Sequence, residues 1–167
     1  MIWEGIEEFV WFWSDMEINR APVEKLINGK VFEKTSTGKL KPGDIIKVKE
    51  DEAFPADIVL LKTANIQQTC FIQTSSLDGE KALKKRKSPK IEQYYGSGDE
   101  INLIGGCIAE KQNPDLYQFS GYLKISGQTY GLDINNFLLK GANLKNTEWI
   151  VGLVVYTGRD TKIMLNS

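Results

Sequence analysis

The chain has 167 residues, enough for one compact domain with an appended helix, and its 21 basic and 22 acidic side chains leave a net charge of -1. That balance gives no global argument for nucleic-acid binding. Histidine is absent, so zinc chemistry loses its commonest nitrogen ligand, and proton transfer near neutral pH falls to carboxylates, lysines or tyrosines. Cys70 and Cys107 stand in apolar surroundings without CxxC spacing. This predicts buried, reduced thiols of a cytosolic compartment in place of a disulfide framework.

Residues 2–17 read as an amphipathic helix, with Ile2, Trp3, Ile6, Phe9, Val10, Trp13 and Met16 on one stripe and Glu4, Glu7, Glu8 and Asp15 largely opposite. The acidic polar face argues against an interfacial membrane helix, which ordinarily carries lysine and arginine there. No apolar run approaches the roughly 20 residues that cross a bilayer, and the N-terminus lacks the pattern of a signal peptide, so the chain as written is expected to be soluble.

After Pro22 the pattern changes to short strand-like runs at 22–27, 30–34, 44–49, 57–63 and 70–74, separated by turn signals at Asn28-Gly29, Thr37-Gly38 and Pro42-Gly43. Further strands are expected at 102–109, 116–126, 137–140 and 149–156, and residues 89–100 read as a loop. Gly121, Gly127 and Gly131 punctuate a hairpin and form no phosphate-binding GxGxxG. Many short strands joined by turns predict a mainly β domain, a small sandwich or jelly roll with a flanking N-terminal helix.

Two charged segments lie between the halves. In Thr74-Ser75-Ser76-Leu77-Asp78-Gly79-Glu80 the Asp-Gly step favours a tight reversal, because Gly79 tolerates positive φ, and Glu80 is then held at the apex of a loop. By itself such a turn is an ordinary solvated hairpin. Lys81, Lys84, Lys85, Arg86, Lys87 and Lys90 come next, within ten residues. A charge run of this kind reads as a solvated face, or as an electrostatic contact with anionic headgroups, phosphate or an acidic domain. No aromatic side chains interleave with it, which disfavours nucleic acid.

The order Leu40-Lys41-Pro42-Gly43-Asp44-Ile45-Ile46-Lys47-Val48, Phe54-Pro55-Ala56-Asp57-Ile58-Val59-Leu60-Leu61 and Asp78-Gly79-Glu80 resembles the actuator domain of P-type ATPases. Downstream, Asn113-Pro114-Asp115-Leu116-Tyr117-Gln118-Phe119-Ser120-Gly121, Asn136-Phe137-Leu138-Leu139-Lys140-Gly141, Leu144-Lys145-Asn146-Thr147-Glu148-Trp149 and Tyr156-Thr157-Gly158-Arg159-Asp160-Thr161-Lys162 look like the lipid-translocating P4 subfamily. The resemblance runs through nearly the whole chain.

It implies that residues 1–19 continue the second membrane helix and that residues 20–167 form a distorted jelly-roll actuator domain. This domain would lie on the cytosolic face of a multi-pass membrane protein, between its second and third membrane helices. Glu80 then matches the carboxylate that aligns water on the family's aspartyl-phosphate, Gly79 the residue that lets the backbone approach closely, and Asp78 a turn-fixing or catalytic side chain. The implied partners are the phosphorylation and nucleotide-binding domains of the same polypeptide, a phospholipid and an accessory subunit. ATP and Mg2+ belong to the parent, with no cofactor or metal site expected in this chain. The chain holds neither a Walker-type motif nor Asp-Lys-Thr-Gly-Thr, so by itself it is expected to be inactive.

One departure stands beside the site. Lys81 occupies the family's threonine position and Ala82 its usual asparagine position, replacing a hydroxyl that donates and accepts by an ammonium that only donates and that could capture Glu80 in an ion pair. Two alternatives arise: a regulatory or scaffolding module of a degenerate flippase-like protein or a guanylyl cyclase fusion, and, from the basic run, a self-standing binding module.

Overall fold

The computed structural model describes residues 24–27, 31–34, 37–91, 105–125 and 127–167. The helix expected at 2–17 and most of the loop expected at 89–100 lie outside the described residues. In chain order the elements are β1 (Glu24–Ile27), β2 (Val31–Lys34), β3 (Ile45–Lys49), β4 (Asp57–Thr63), β5 (Thr69–Gln73), α1 (Ser75–Asp78), β6 (Lys84–Lys87), β7 (Gly105–Ala109), β8 (Gly121–Ile125), β9 (Gln128–Leu132), β10 (Phe137–Leu138), β11 (Asn143–Lys145), β12 (Trp149–Tyr156) and α2 (Lys162–Asn166).

They form a six-stranded sheet in the order β10-β4-β12-β3-β1-β2 and two three-stranded sheets, β11-β5-β6 and β7-β8-β9. All pairings are antiparallel. The fold is mainly β, as the turn-punctuated pattern predicts.

The centre of the large sheet is apolar on both faces. Side chains alternate along a strand. Ile58 and Leu60 of β4, Ile46 and Val48 of β3 and Ile150 and Val154 of β12 therefore pack with Cys70, Ile72 and Leu144 of one small sheet. Val59, Leu61, Ile45, Val151, Leu153 and Val155 pack on the other side with Cys107, Ala109, Leu123, Ile125 and Leu132 of the second. This explains the unbroken apolar runs of β4 and β12, which would alternate with polar residues if one face were wet. Each valine, leucine or isoleucine buried in this way contributes about 1.5–3 kcal/mol. The sandwich thus has three layers, and the two cysteines sit unpaired and buried on opposite sides of its middle one.

Gly152 lies where β12 shifts register against β4. A Cβ there would fall 2.1 Å from Ile58 Cγ2 and 3.0 Å from the Val59 carbonyl oxygen, so only glycine lets the two central strands approach this closely.

The C-terminal segment is locked to the core by Asp57, the buried first residue of β4. Its Oδ1 accepts the Lys140 amide at 2.9 Å and its Oδ2 the Lys162 amide at 2.7 Å. The Lys162 ammonium, also buried, reaches Asn113 Oδ1 at 2.8 Å and Glu110 Oε1 at 3.2 Å. Close by, Phe119 stacks on Phe137 at 4.2 Å between centroids, and Tyr156 meets both edge-on. Three sequence motifs far apart in the chain are thereby joined in one aromatic cluster.

Candidate functional site

The acidic segment differs from the expected hairpin. Residues 75–78 form a single helical turn, in which the Asp78 amide donates to the Thr74 carbonyl and the Gly79 amide to the Ser75 carbonyl. Gly79 ends it in the left-handed region at φ 77°, the usual C-terminal stop where a Cβ would be strained. No atom lies within 4 Å of a Cβ built there, so conformation, not space, selects glycine.

The turn is pinned to the body. Leu77 packs against both core clusters, and Ser76 Oγ donates to the Gly141 carbonyl at 2.8 Å.

Asp78 organises the end of the turn and the loop beyond it. Its Oδ1 accepts the Thr74 hydroxyl and the Glu80 amide, both at 3.0 Å, and its Oδ2 accepts the Tyr117 hydroxyl at 3.2 Å and faces Lys84 Nζ at 3.5 Å. Burial works to raise its pKa, but the Glu80 amide, the two hydroxyls and the Lys84 ammonium outweigh it and hold the carboxyl below its ordinary value. Asp78 is sheltered, its side chain 11% exposed, whereas that of Glu80 is 53% exposed. Of the two carboxylates it is Glu80 that projects from the loop.

Lys84, the first residue of β6, meets Glu80 Oε2 at 2.9 Å and lies 5.3 Å from the centre of the Tyr117 ring. Its pKa is raised: burial works downward, but the hydrogen bond to Glu80 and the charges of Asp78 and Glu80 prevail. The cation paired with Glu80 is therefore Lys84, three residues beyond Lys81. Lys81 is exposed, and its carbonyl accepts Gln73 Nε2 at 3.1 Å.

The basic run is likewise reorganised. Residues 84–87 form a strand paired with β5, and the strand alternation turns Lys84 and Arg86 inward while Lys85 and Lys87 stay exposed. Arg86 Nε donates to the Phe137 carbonyl at 3.3 Å. Half of this strand is therefore committed to the molecule itself and is no solvated face.

Reasoning from sequence missed Tyr117 and Lys84 as members of the site. Tyr117 belongs to a family-like motif but falls within the strand expected at 116–126, whereas the structure places it in a loop. Asn113 Oδ1 accepts the Asp115 amide and Asp115 Oδ1 the Tyr117 amide, and these local turns take the backbone donors a ladder would need. Thr147 Oγ1 accepts the Phe71 amide of β5, and Trp149 opens β12 with Lys47 Nζ 5.6 Å from the centre of its ring. Among the described residues no group of histidine, cysteine or acidic side chains is placed to hold a metal ion, and no helix is long and apolar enough to cross a membrane.

The P-type ATPase actuator domain family matches residues 17–164. The chain belongs to that family. Phospholipid-transporting ATPase 6 of Arabidopsis thaliana is 36% identical over 165 residues, covering 98% of this chain and 13% of that protein. Phospholipid-transporting ATPase IG of Homo sapiens is 37% identical over 169 residues, covering 98% and 15%. This actuator domain thus spans a small part of the length of such relatives. A solved zinc-transporting PIB-type ATPase in its E2.Pi state aligns with 85% of this chain and 15% of its own, with a TM-score of 0.47 at 18% identity. That likeness is too distant to bear on the chemistry.

Proposed function

We propose that this actuator domain serves a phospholipid-transporting P4-type ATPase and that Glu80 is the base for hydrolysis of the parent's aspartyl-phosphate. The observation that carries the reading is the contrast within the acidic loop: Asp78 is consumed by four donors, while Glu80 projects from a turn fastened to the core and leaves Oε1 open to a water. A base must come within hydrogen-bond reach of the water it activates, and a rigid domain can deliver such a loop as a unit.

In the step itself the water oxygen bonds to phosphorus as the bond from phosphorus to the aspartyl oxygen breaks. Glu80 takes the water proton, and the products are inorganic phosphate and a free aspartate carboxylate. Gly79 allows the close approach and Asp78 holds the geometry. ATP and Mg2+ are assigned to the nucleotide-binding and phosphorylation domains of the same polypeptide. The phospholipid and any accessory subunit are assigned to its membrane portion, and this domain to the cytosolic face.

The test is Glu80→Gln in the full-length ATPase. Phosphoenzyme should still form from ATP but decay about a hundredfold more slowly, the usual scale for losing a general base, and phospholipid transport should be lost. Decay at the wild-type rate would discard the assignment.

A further inference from the structure

We propose that Lys84 is a positioning residue for Glu80, held in turn by Asp78 and the Tyr117 ring, so that the reach of the base is set from strand β6 and from the 113–121 segment. The inference rests on reading Glu80 as the base.

Surface lysines ordinarily keep their heads in water. Lys84 does not: its side chain is 21% exposed, its ammonium sits between two carboxylates, and the Tyr117 ring lies beside it. Its backbone is fixed as well, since Lys84 is paired with Ile72 of β5.

The contacts close into a circuit. Tyr117 donates to Asp78 Oδ2, the oxygen that Lys84 also faces, while Asp78 Oδ1 accepts the amide of Glu80. Asp78 therefore holds the backbone of the base and, through Lys84, its carboxylate. Lys84 engages Oε2, which leaves Oε1 for water. A pair with one partner this exposed adds little stability. Its value lies in orientation, since a base displaced by about 1 Å loses on the order of a hundredfold in rate.

A double-mutant cycle in the full-length ATPase separates this role from a structural one, with phosphoenzyme formed from ATP as the check that each variant folds. Lys84→Met should slow phosphoenzyme decay about tenfold, Lys84→Arg should restore most of the loss, and Tyr117→Phe, which keeps the ring but loses the hydroxyl, should slow it about threefold, all within the scale of a misplaced base. In the Glu80→Gln background Lys84→Met should add nothing, because its effect passes through the carboxylate. Should Lys84→Met yield no phosphoenzyme, Lys84→Gln carries the same cycle. Wild-type decay in Lys84→Met, or additive losses in the double variant, would overturn the inference while Glu80→Gln alone still slows decay. Unaltered decay in Glu80→Gln would overturn the base assignment and this inference together.

Discussion

Asp57 and Asp78 are both carboxylates ringed by donors, yet the molecule moves their acidities in opposite directions. At Asp57 burial dominates and pushes the pKa from 3.8 to about 6, against two backbone amides and the charges of Lys162 and Lys140. At Asp78 burial is outweighed by an amide, two hydroxyls and the ammonium of Lys84. The difference lies in setting: neutral amides deep in a core do not make up for lost water, whereas mixed donors at a half-sheltered surface do. The first carboxylate therefore reads as a fold lock joining β4 to the Lys140 turn and α2, and the second as the frame of a working loop.

Removing Asp57 is the harshest way to break this comparison. Asp57→Ala leaves the buried Lys162 amide and the part-buried Lys140 amide without acceptors and should cost about 3 kcal/mol, whereas Asp78→Ala strands the buried Thr74 hydroxyl but lets the Glu80, Tyr117 and Lys84 donors turn to water, and should cost about 1 kcal/mol. Urea denaturation of the isolated domain at about pH 4, where the Asp57 contribution is still nearly whole, checks both, and equal losses would erase the distinction. The pH dependence should also differ in sign. A carboxyl whose folded pKa lies above its unfolded value contributes stability that is whole below pH 3.8 and is lost as pH rises through about 6. Over that window the contribution of Asp57 falls by on the order of 3 kcal/mol. Asp78, depressed in the folded chain, contributes stability above its unfolded pKa that is lost as pH falls through the lower folded value. Asp57→Ala should flatten the first slope and Asp78→Ala the second.

The same contrast explains what could be read from the sequence. The bounds of β4 and β12 were legible to the residue because strands covered on both faces carry unbroken apolar runs that announce themselves. Strand β6 was not, since four consecutive cations show no apolar alternation. Its pairing comes from β5, and the exposed lysines suit the sheet edge it occupies. The Asp-Gly turn was legible as a place where Gly79 must bend, though Thr74 and Ser75 supply helical acceptors that make it a capped turn and no hairpin. The role of Tyr117 was not, because its partner Asp78 lies 39 residues away and the hydrogen bond exists only once the segments are packed.

Gly79 offers a milder intervention on the working loop alone. Gly79→Ala meets no atom but forces an L residue to φ 77°, which costs about 1 kcal/mol. The melting temperature should fall by roughly 2–4 °C for a domain of this size. Decay of the phosphoenzyme should slow about tenfold, because Glu80, the proposed base, is the next residue and a shifted base loses rate steeply. A normal decay rate with the same stability loss would mean that the loop tolerates repositioning.

The smallest effect is expected at Lys81, which the sequence resemblance sets against a threonine of the family. Lys81 is exposed and meets Gln73 through its carbonyl, a contact that any side chain preserves. Glu80 is already engaged by Lys84. Replacing Lys81 with threonine therefore neither frees nor captures the base, and Lys81→Thr should change stability by less than about 0.5 kcal/mol, as ordinary surface substitutions do. Phosphoenzyme decay in the full-length ATPase should be fast in the wild type and change less than about twofold in the variant. A slow wild type accelerated by the substitution would show that the second ammonium competes for Glu80. The departure would then be a brake on dephosphorylation, and the regulatory reading of the domain would replace the transport one.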